Sequence, residues 1–466
     1  MSPRLARCLA LAALVLAGCT KTPPGPDLGR LYRVGTQFTD PTPVILIPGL
    51  FGSKLRDRTT GTEVWPGSAR MILFGDYRQL ALDFDRSTLA VRADNLEAFD
   101  IADAALGQDF YGKIIATLHD FGGYVRGVVG VPPKPGDRRY YIFAYDWRQD
   151  NVETARGLDR LIEAIRRDYG DPALRVDIVA HSMGGLIARY YQRYGTDDVL
   201  DGRESQVTLY GTSRVRKLIL LGTPNMGSTS SLHAFLSGEA IGFGRIPQEA
   251  LATLPSGYQL FPHPLVTWLL DVSGRALHDD LYEGKTWRRY RWSIFDPVVE
   301  ARIRAAHGAD ADAYLAALGR FFDYRLERAR RFLWALSTPE PATQIRYVLF
   351  GGDCELTPAR LVLEDVDDTP VARLYPDQIR AQVPGVSYRD LMLEPGDGSV
   401  TKPSLLARET LDPSAPQNED SVIPIAYGFF LCERHDSLTG NINFQDNLLN
   451  VLLTRSLPWD MGVKAP

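Results

Sequence analysis

The sequence is poor in cysteine and lysine, and its charge is close to balanced. It contains only 4 Cys in 466 residues, and they do not show the grouped Cys and His spacing of a zinc site. Only eight of its 52 cationic side chains are Lys, and they are scattered, so no polybasic tract can hold it on a membrane surface. A net charge of −5 argues against a nucleic-acid-binding protein. With 45% hydrophobic and 23% charged residues, the composition predicts an ordinary globular protein.

The N-terminus carries the one apolar stretch that indicates targeting. Arg4 and Arg7 precede apolar and small residues at positions 8–18. This stretch is too short to cross a bilayer as a helix, which takes about 20 residues. Its length and its basic flank are those of a signal peptide, so we predict that the chain is exported.

The stretch ends in Leu-Ala-Gly-Cys at residues 16–19, which resembles the lipobox of bacterial lipoproteins. The resemblance implies that residues 1–18 are removed, that Cys19 is lipidated, and that residues 19–40 form a lipidated N-terminus and linker. The acyl chains then tether the protein to the bacterial cell envelope. Thr20 stands where Asp indicates retention in the inner membrane, which favours the outer membrane, facing the periplasm or the cell surface. The alternative is a plain cleaved signal peptide.

Two cysteines remain after export. Cys8 leaves with the signal peptide and Cys19 carries the lipid, which leaves Cys354 and Cys432. Because an exported chain folds in an oxidising compartment, we predict a disulfide between these two residues.

The rest of the chain alternates short β-branched runs with amphipathic stretches. This pattern predicts a mostly parallel sheet with helices on both faces. We assign residues 41–226 and 344–466 to this α/β core, with a helical cap inserted at residues 227–343 and a lid-like excursion at about residues 55–108. The predicted strands are 44–47, 140–144, 175–180, 215–221, 345–350 and 422–431, and the predicted core helices are 154–169 and 184–194.

Residues 176–188 are the most informative segment. A hydrophobic strand runs into a tight turn that carries Ser182 and then directly into a helix. This is the setting of the nucleophile elbow in the α/β-hydrolase fold. Ala180 and Gly184 supply the small residues that the turn needs, because strand and helix nearly touch there. The segment predicts an α/β-hydrolase with Ser182 as its nucleophile.

A serine nucleophile needs a base and a carboxylate, which follow it along the chain in the order acid, then histidine. Of seven histidines, only His435 lies beyond the predicted strand at residues 345–350, so it is the predicted base. His181 adjoins the serine, with its side chain expected on another face. Asp397, in a glycine-rich turn, is the predicted acid, and Asp353, nearer its strand, is the alternative.

An oxyanion hole requires two backbone N–H groups beside the attacked carbonyl. We expect one from Met183, directly after the nucleophile, and the other from Leu50 in the Pro-Gly-Leu-Phe-Gly loop at residues 48–52. Such chemistry needs no metal and no organic cofactor.

Six segments stand out, at residues 43–55, 64–67, 145–148, 180–185, 221–228 and 396–400. Together they resemble the lecithin:cholesterol acyltransferase family, which includes lysosomal phospholipase/transacylases and phospholipid:diacylglycerol acyltransferases. Tyr-Asp-Trp-Arg and Gly-Asp-Gly-Ser-Val are the most specific of them, and the resemblance covers roughly residues 41–450. It implies a triad of Ser182, Asp397 and His435, with Leu50 and Met183 forming the oxyanion hole.

The sequence also departs from the family. Animal members close a lid near the Val-Trp segment with a disulfide, but no Cys lies between Cys19 and Cys354 here. A lid at Trp65 must therefore be held in another way. Cys432 also precedes His435 by three residues, so the predicted disulfide pins the acid-bearing segment to the base-bearing strand.

These observations predict serine-dependent acyl transfer on glycerolipids, as an O-acyltransferase or a phospholipase-type ester hydrolase, with water or a hydroxyl as acceptor. A lipid substrate is indicated by the family, the tether and aromatic segments such as residues 287–292, which suit either a membrane interface or a packed helix. One alternative is an esterase or thioesterase on small soluble substrates. Another is a catalytically idle envelope lipoprotein that binds a partner.

Overall fold

A seven-stranded parallel sheet forms the centre of the molecule. The computed structural model describes residues 25–33, 42–102, 104–105, 108–202, 206–339, 341, 345, 347–412, 414 and 423–454. The sheet has the order β7-β6-β5-β4-β1-β3-β2, and all neighbouring strands pair in parallel. The strands are β1 (Val44–Ile47), β2 (Tyr124–Arg126), β3 (Arg138–Ile142), β4 (Val176–His181), β5 (Val215–Leu221), β6 (Tyr347–Gly352) and β7 (Ile425–Leu431).

Helices cover both faces of this sheet, so the central strand β1 is buried and apolar along its whole length. Ile45 and Ile47 of β1 pack in the same cluster as α2 and α3, whereas Val44 and Leu46 share a cluster with α1 and α8. This three-layer arrangement is an α/β-hydrolase fold and confirms the predicted fold class. The helices of eight or more residues, and the one at residues 284–290, are α1 (Gly112–Asp120), α2 (Asn151–Tyr169), α3 (Met183–Tyr194), α4 (Thr229–Ser237), α5 (Gly284–Tyr290), α6 (Pro297–His307), α7 (Ala311–Ser337) and α8 (Ile442–Leu453).

Local signals explain where the core helices begin and end. The Asp150 side chain accepts the Val152 N–H at 3.0 Å and caps α2, which ends at Gly170 in a left-handed conformation with φ 64°. The Asn441 side chain caps α8 in the same way. These signals lie within a few residues of each helix end and are readable from sequence.

The segment between β5 and β6 is mostly helical and packs on one face of the sheet. It holds α4 to α7, short helices at Gln248–Leu251 and Pro255–Tyr258, and a hairpin of Glu239–Ile241 and Gly244–Ile246. Its strand Leu269–Asp271 pairs with Leu361–Val366, which also pairs with Thr369–Arg373. The predicted cap boundaries at residues 227 and 343 stay predictions.

The excursion after β1 forms a small antiparallel sheet of Glu63–Trp65, Ser53–Asp57 and Leu96–Ile101, with a short helix at Ala69–Phe74. Arg148 ties this excursion to the end of β3. Its guanidinium is fully buried and bonds Asp94 at 2.6 Å and Asp146 at 2.8 Å. The bidentate geometry fixes two chain segments at one point.

The predicted signal peptide and the lipidated Cys19 lie outside the described residues. Within the described part of the chain, no helix combines the length and the hydropathy needed to cross a membrane. Beyond β6, Glu355–Pro358 pairs with Leu393–Gly396, which leads into the turn that carries Asp397.

Candidate active site

The predicted nucleophile lies in a sharp turn at the carboxyl end of β4. Ser182 has φ 53° and ψ −125°, a conformation that few residues other than glycine adopt, and α3 begins at the next residue. A Cβ at Gly184 would lie 2.6 Å from the Pro48 carbonyl oxygen, and one at Gly185 would lie 1.9 Å from Thr223 Oγ1. The elbow therefore depends on both glycines, because larger side chains would separate helix and strand.

The structure brings Ser182, His435 and Asp397 together. Ser182 Oγ lies 2.9 Å from His435 Nε2, and His435 Nδ1 lies 2.8 Å from Asp397 Oδ2. The Asp397 side chain is fully buried, and its Oδ1 accepts the backbone N–H groups of Ser399 at 3.0 Å and Val400 at 2.7 Å. Its turn thus orients the carboxylate toward the imidazole.

The Asp397 carboxylate stabilises the charged form that the His435 imidazole takes when it accepts a proton. Burial opposes the charged form of His435, but the nearby Asp397 carboxylate outweighs burial, so the pKa of His435 is raised from its ordinary value. A base whose conjugate acid is stabilised in place is suited to taking the proton of a serine hydroxyl.

The alternative acid is engaged elsewhere. Asp353 Oδ2 accepts a hydrogen bond from Lys402 Nζ at 2.7 Å, whereas the carboxylate on His435 is that of Asp397. Cys354 and Cys432 form the predicted disulfide, with Cα atoms 4.9 Å apart. It joins the segment after β6 to the segment after β7, three residues before His435.

The loop after β1 contacts the serine directly. A Cβ at Gly49 would lie 2.7 Å from Ser182 Cβ, so this glycine permits the close approach. Among the described residues, neither the Leu50 N–H nor the Met183 N–H donates a hydrogen bond to another group. Two unpaired backbone donors therefore adjoin Ser182, as an oxyanion hole requires.

A hydrogen-bond chain that sequence reasoning missed joins the three loops of the site. The Gly49 N–H donates to the Tyr111 hydroxyl at 2.9 Å, this hydroxyl lies 2.8 Å from His181 Nδ1, and His181 Nε2 lies 3.1 Å from the His435 carbonyl oxygen. The position of His181 beside the serine was a signal, but no motif pointed to Tyr111.

The tautomer of His181 follows from these contacts. Burial lowers the pKa of His181 to about 3, so the ring is neutral. The His435 carbonyl can only accept, so Nε2 carries the hydrogen and Nδ1 accepts the Tyr111 O–H. Tyr111 stays protonated, since burial raises the pKa of its phenol. Every donor in this hydrogen-bond chain from Gly49 to His435 thus has an acceptor.

Trp65 lies behind the oxyanion loop. It is 4% exposed, its Nε1 donates to the Phe51 carbonyl at 2.8 Å, and its ring centroid lies 5.0 Å from that of Phe51 and 5.3 Å from that of Trp147. These contacts support the loop that carries Leu50. The predicted role of Trp65 in a lid stays a prediction.

Beside the serine lies a cavity of about 210 Å³ with largely apolar walls. Leu254 and Leu260 are among the apolar residues that line it. The cavity is also lined by Leu50, Phe51, Ser182, Pro224, Ser228, Ser230, Ser231, Ala234, Phe235, Glu239, Leu251, Ser256, Gly257, Ser399, Val400 and His435.

The aromatic segment at residues 287–292 takes the packed arrangement rather than the interfacial one. Trp287 is fully buried and Trp292 is 6% exposed, while Arg288 and Arg289 pair with Asp323 and Asp279 at 2.8 Å. Trp287 packs against Phe322 of α7, with ring centroids 4.9 Å apart, so its ring belongs to the core. Within the described ranges, no group of three or more His, Cys, Asp or Glu side chains is placed to hold a metal ion.

Comparisons with solved structures support the fold. The structure described as "The crystal structure of Tle4-Tli4 complex" matches with a TM-score of 0.55 at 16% identity, covering 89% of this chain and 98% of that chain. The Bacillus licheniformis lipase BlEst2 in mature form matches at 0.33 and 12% identity, covering 90% and 95% of the two chains. The Staphylococcus hyicus lipase matches at 0.35 and 12% identity, covering 93% and 98%. Of these three structures, only the first has a TM-score above 0.5 and supports the fold assignment.

No curated protein matches this sequence significantly. A family does match, over residues 83–276, which include the elbow and its serine, and its description is lecithin:cholesterol acyltransferase. The fold and this match both fit ester hydrolysis or acyl transfer on lipids. The match over residues 83–276 confirms the resemblance to the lecithin:cholesterol acyltransferase family that the sequence motifs predicted.

Proposed function

We propose that this protein transfers acyl groups of glycerolipids through a serine ester at Ser182, as an O-acyltransferase or as a phospholipase-type hydrolase. The observation that carries the proposal is the run of contacts from Ser182 Oγ through His435 to Asp397, 2.9 Å and 2.8 Å long, beside a cavity. The family match over residues 83–276 supports a lipid ester as the substrate.

In the first half of the reaction, His435 Nε2 takes the hydroxyl proton of Ser182 as Oγ attacks the ester carbonyl. The carbonyl oxygen gains negative charge and accepts the N–H groups of Leu50 and Met183. Asp397 stabilises the imidazolium and keeps its ring in place. His435 then gives its proton to the departing alcohol, and the acyl group stays on Ser182.

In the second half, an acceptor enters and His435 takes its proton. As the acceptor oxygen bonds to the acyl carbon, the bond from that carbon to Ser182 Oγ breaks and His435 returns the proton to Oγ. Water as the acceptor gives a fatty acid, and a lipid hydroxyl gives a new ester. The two outcomes share every protein group, so they differ in which acceptor reaches the acyl-enzyme. A largely apolar cavity wall favours a lipid alcohol over bulk water.

The test is mass spectrometry of lipids after incubation with phosphatidylcholine vesicles, with and without an added sterol or diacylglycerol. Free fatty acid alone identifies a hydrolase, and a new ester identifies a transferase. Ser182→Ala is the control and should abolish both products. A fluorophosphonate probe that fails to label Ser182 in the full chain would overturn the proposal and favour the idle lipoprotein.

The acyl chain length of the substrate distinguishes this proposal from the alternative, an esterase or thioesterase that acts on small soluble substrates. Cleavage of short p-nitrophenyl esters or thioesters without cleavage of vesicle phospholipid would favour it.

We further propose that the protein is tethered to the bacterial outer membrane through Cys19. This rests on the sequence at residues 16–20 alone. Cys19→Ala should abolish incorporation of labelled palmitate and release the protein from the membrane fraction. Retention of both label and membrane association in the variant would contradict the tether.

A further inference from the structure

Glu239 is the one acidic side chain among the residues that line the cavity. The lining set contains Glu239 and His435 as its ionisable members, and the rest are apolar side chains, serines and glycine. No Lys or Arg lines the cavity, so a bound anion would meet no cation there.

The hairpin directs Glu239 inward. Glu239 pairs with the fully buried Ile246 in the hairpin Glu239–Ile241 and Gly244–Ile246, and the next residue, Ala240, is exposed. Because side chains alternate along a strand, the outward Ala240 places Glu239 on the opposite face, toward the cavity.

The carboxyl of Glu239 has no partner in the described part of the chain. Among the described residues no hydrogen bond or ion pair reaches it, whereas Glu249 bonds Arg302 at 2.8 Å. Burial alone raises the pKa of Glu239 to about 7, with no charged neighbour contributing. A partly buried acid that the protein leaves unsatisfied is available to a ligand.

We propose that Glu239 forms a polar subsite that accepts a hydrogen-bond donor of the substrate or acceptor, a hydroxyl or an ammonium group, and that disfavours negatively charged groups. This inference rests on the proposed function, because it assigns the chemistry of a ligand in the same cavity. A neutral or ionised carboxyl can accept from a hydroxyl, whereas an ammonium group gains most from the carboxylate. A phosphate placed here would meet an acid in an apolar wall.

The test measures competitive inhibition of p-nitrophenyl butyrate hydrolysis by three probes of equal chain length: hexylammonium, 1-hexanol and hexanoate. In the full chain at about pH 8.5, where the carboxylate predominates, we expect hexylammonium to bind about tenfold or more tighter than hexanoate. Glu239→Gln should remove the preference for ammonium and keep binding of hexanol. Glu239→Leu should weaken both. Ala240→Gln, on the outward face of the same strand, is the matched control and should keep the wild-type order.

The preference for ammonium should also fall from about pH 8.5 to about pH 6, because protonation removes the negative charge. Other ionisable groups could contribute to this pH dependence, namely His435 across the cavity, His233 on α4 and Arg245 on the facing strand. The same pH series on Glu239→Gln measures the contribution of these groups, which is then subtracted from the wild-type pH dependence.

The outcomes separate the two proposals. If the wild type is labelled by a fluorophosphonate at Ser182 but binds hexanoate as tightly as hexylammonium, the subsite is wrong and the function stands. The subsite is also wrong if Glu239→Gln keeps the wild-type order. If hexylammonium binds more tightly than hexanoate and the binding of hexanol does not depend on Glu239, the ligand is cationic. If the binding of both hexylammonium and hexanol depends on Glu239, the subsite accepts hydrogen-bond donors in general. A wild type without labelling refutes the function instead.

Discussion

Removing the Tyr111 hydroxyl should slow catalysis without weakening substrate binding. In Tyr111→Phe, the Gly49 N–H loses its acceptor and His181 Nδ1 loses its donor, contacts of 2.9 Å and 2.8 Å in the native site. Each buried group left unsatisfied costs about 1–3 kcal/mol. The loop and the imidazole can recover that energy only by moving, and both adjoin catalytic groups.

The size of the effect follows from what moves. Gly49 precedes Leu50, so a shift of the loop displaces one predicted oxyanion donor, and loss of such a donor costs about 10²–10³ in kcat. We expect kcat for p-nitrophenyl butyrate to fall by about 10², while KM changes by less than about threefold, because Tyr111 itself does not line the cavity.

A second tyrosine supplies the matched control. Tyr194 is also fully buried and its hydroxyl donates to the Ala335 carbonyl at 2.7 Å, but it ends α3, about 18 Å along the helix from Ser182. Tyr194→Phe should lower the free energy of unfolding in urea by about 1 kcal/mol and leave kcat unchanged.

A double-mutant cycle tests whether Tyr111 acts through His181. His181→Asn should also lower kcat, and the double variant should be little slower than the slower single variant, since both break one chain. Equal losses of kcat in Tyr111→Phe and Tyr194→Phe, or additive losses in the cycle, would refute the reasoning.

Three further predictions concern the triad and the disulfide. Asp397→Asn should lower kcat by about 10⁴, because the amide cannot stabilise the imidazolium. Asp353→Asn should keep kcat within a few-fold of the wild type. Steady-state kinetics on both variants decides which aspartate is the acid. In the wild type, kcat/KM should rise with pH through the pKa of His435, which Asp397 holds above the usual value of about 6.5. In any residual activity of Asp397→Asn, this rise should occur at lower pH. A rise at the same pH in both proteins would assign it to a group other than His435. Cys354→Ser with Cys432→Ser should lower the free energy of unfolding by about 4 kcal/mol, because the bridge closes a loop of 78 residues, and unchanged urea unfolding would contradict this.

Local sequence patterns predicted most of the core elements. The strands at 44–47 and 215–221 have the predicted bounds, and the helix predicted at 154–169 begins three residues earlier, at its Asp150 cap. The short edge strand Tyr124–Arg126 was missed, because only one of its three residues is buried and no apolar alternation marks it.

The sequence by itself determined the fold class and the turn that carries Ser182, because a strand, an elbow and a helix that follow one another are encoded within about a dozen residues. Chain order also singled out His435. Only the tertiary structure decided that Asp397 rather than Asp353 reaches the imidazole, that Trp287 faces the core, and that Tyr111 and Glu239 belong to the site. Those facts depend on burial and on hydrogen bonds between segments distant in the chain, and neither leaves a local pattern to read.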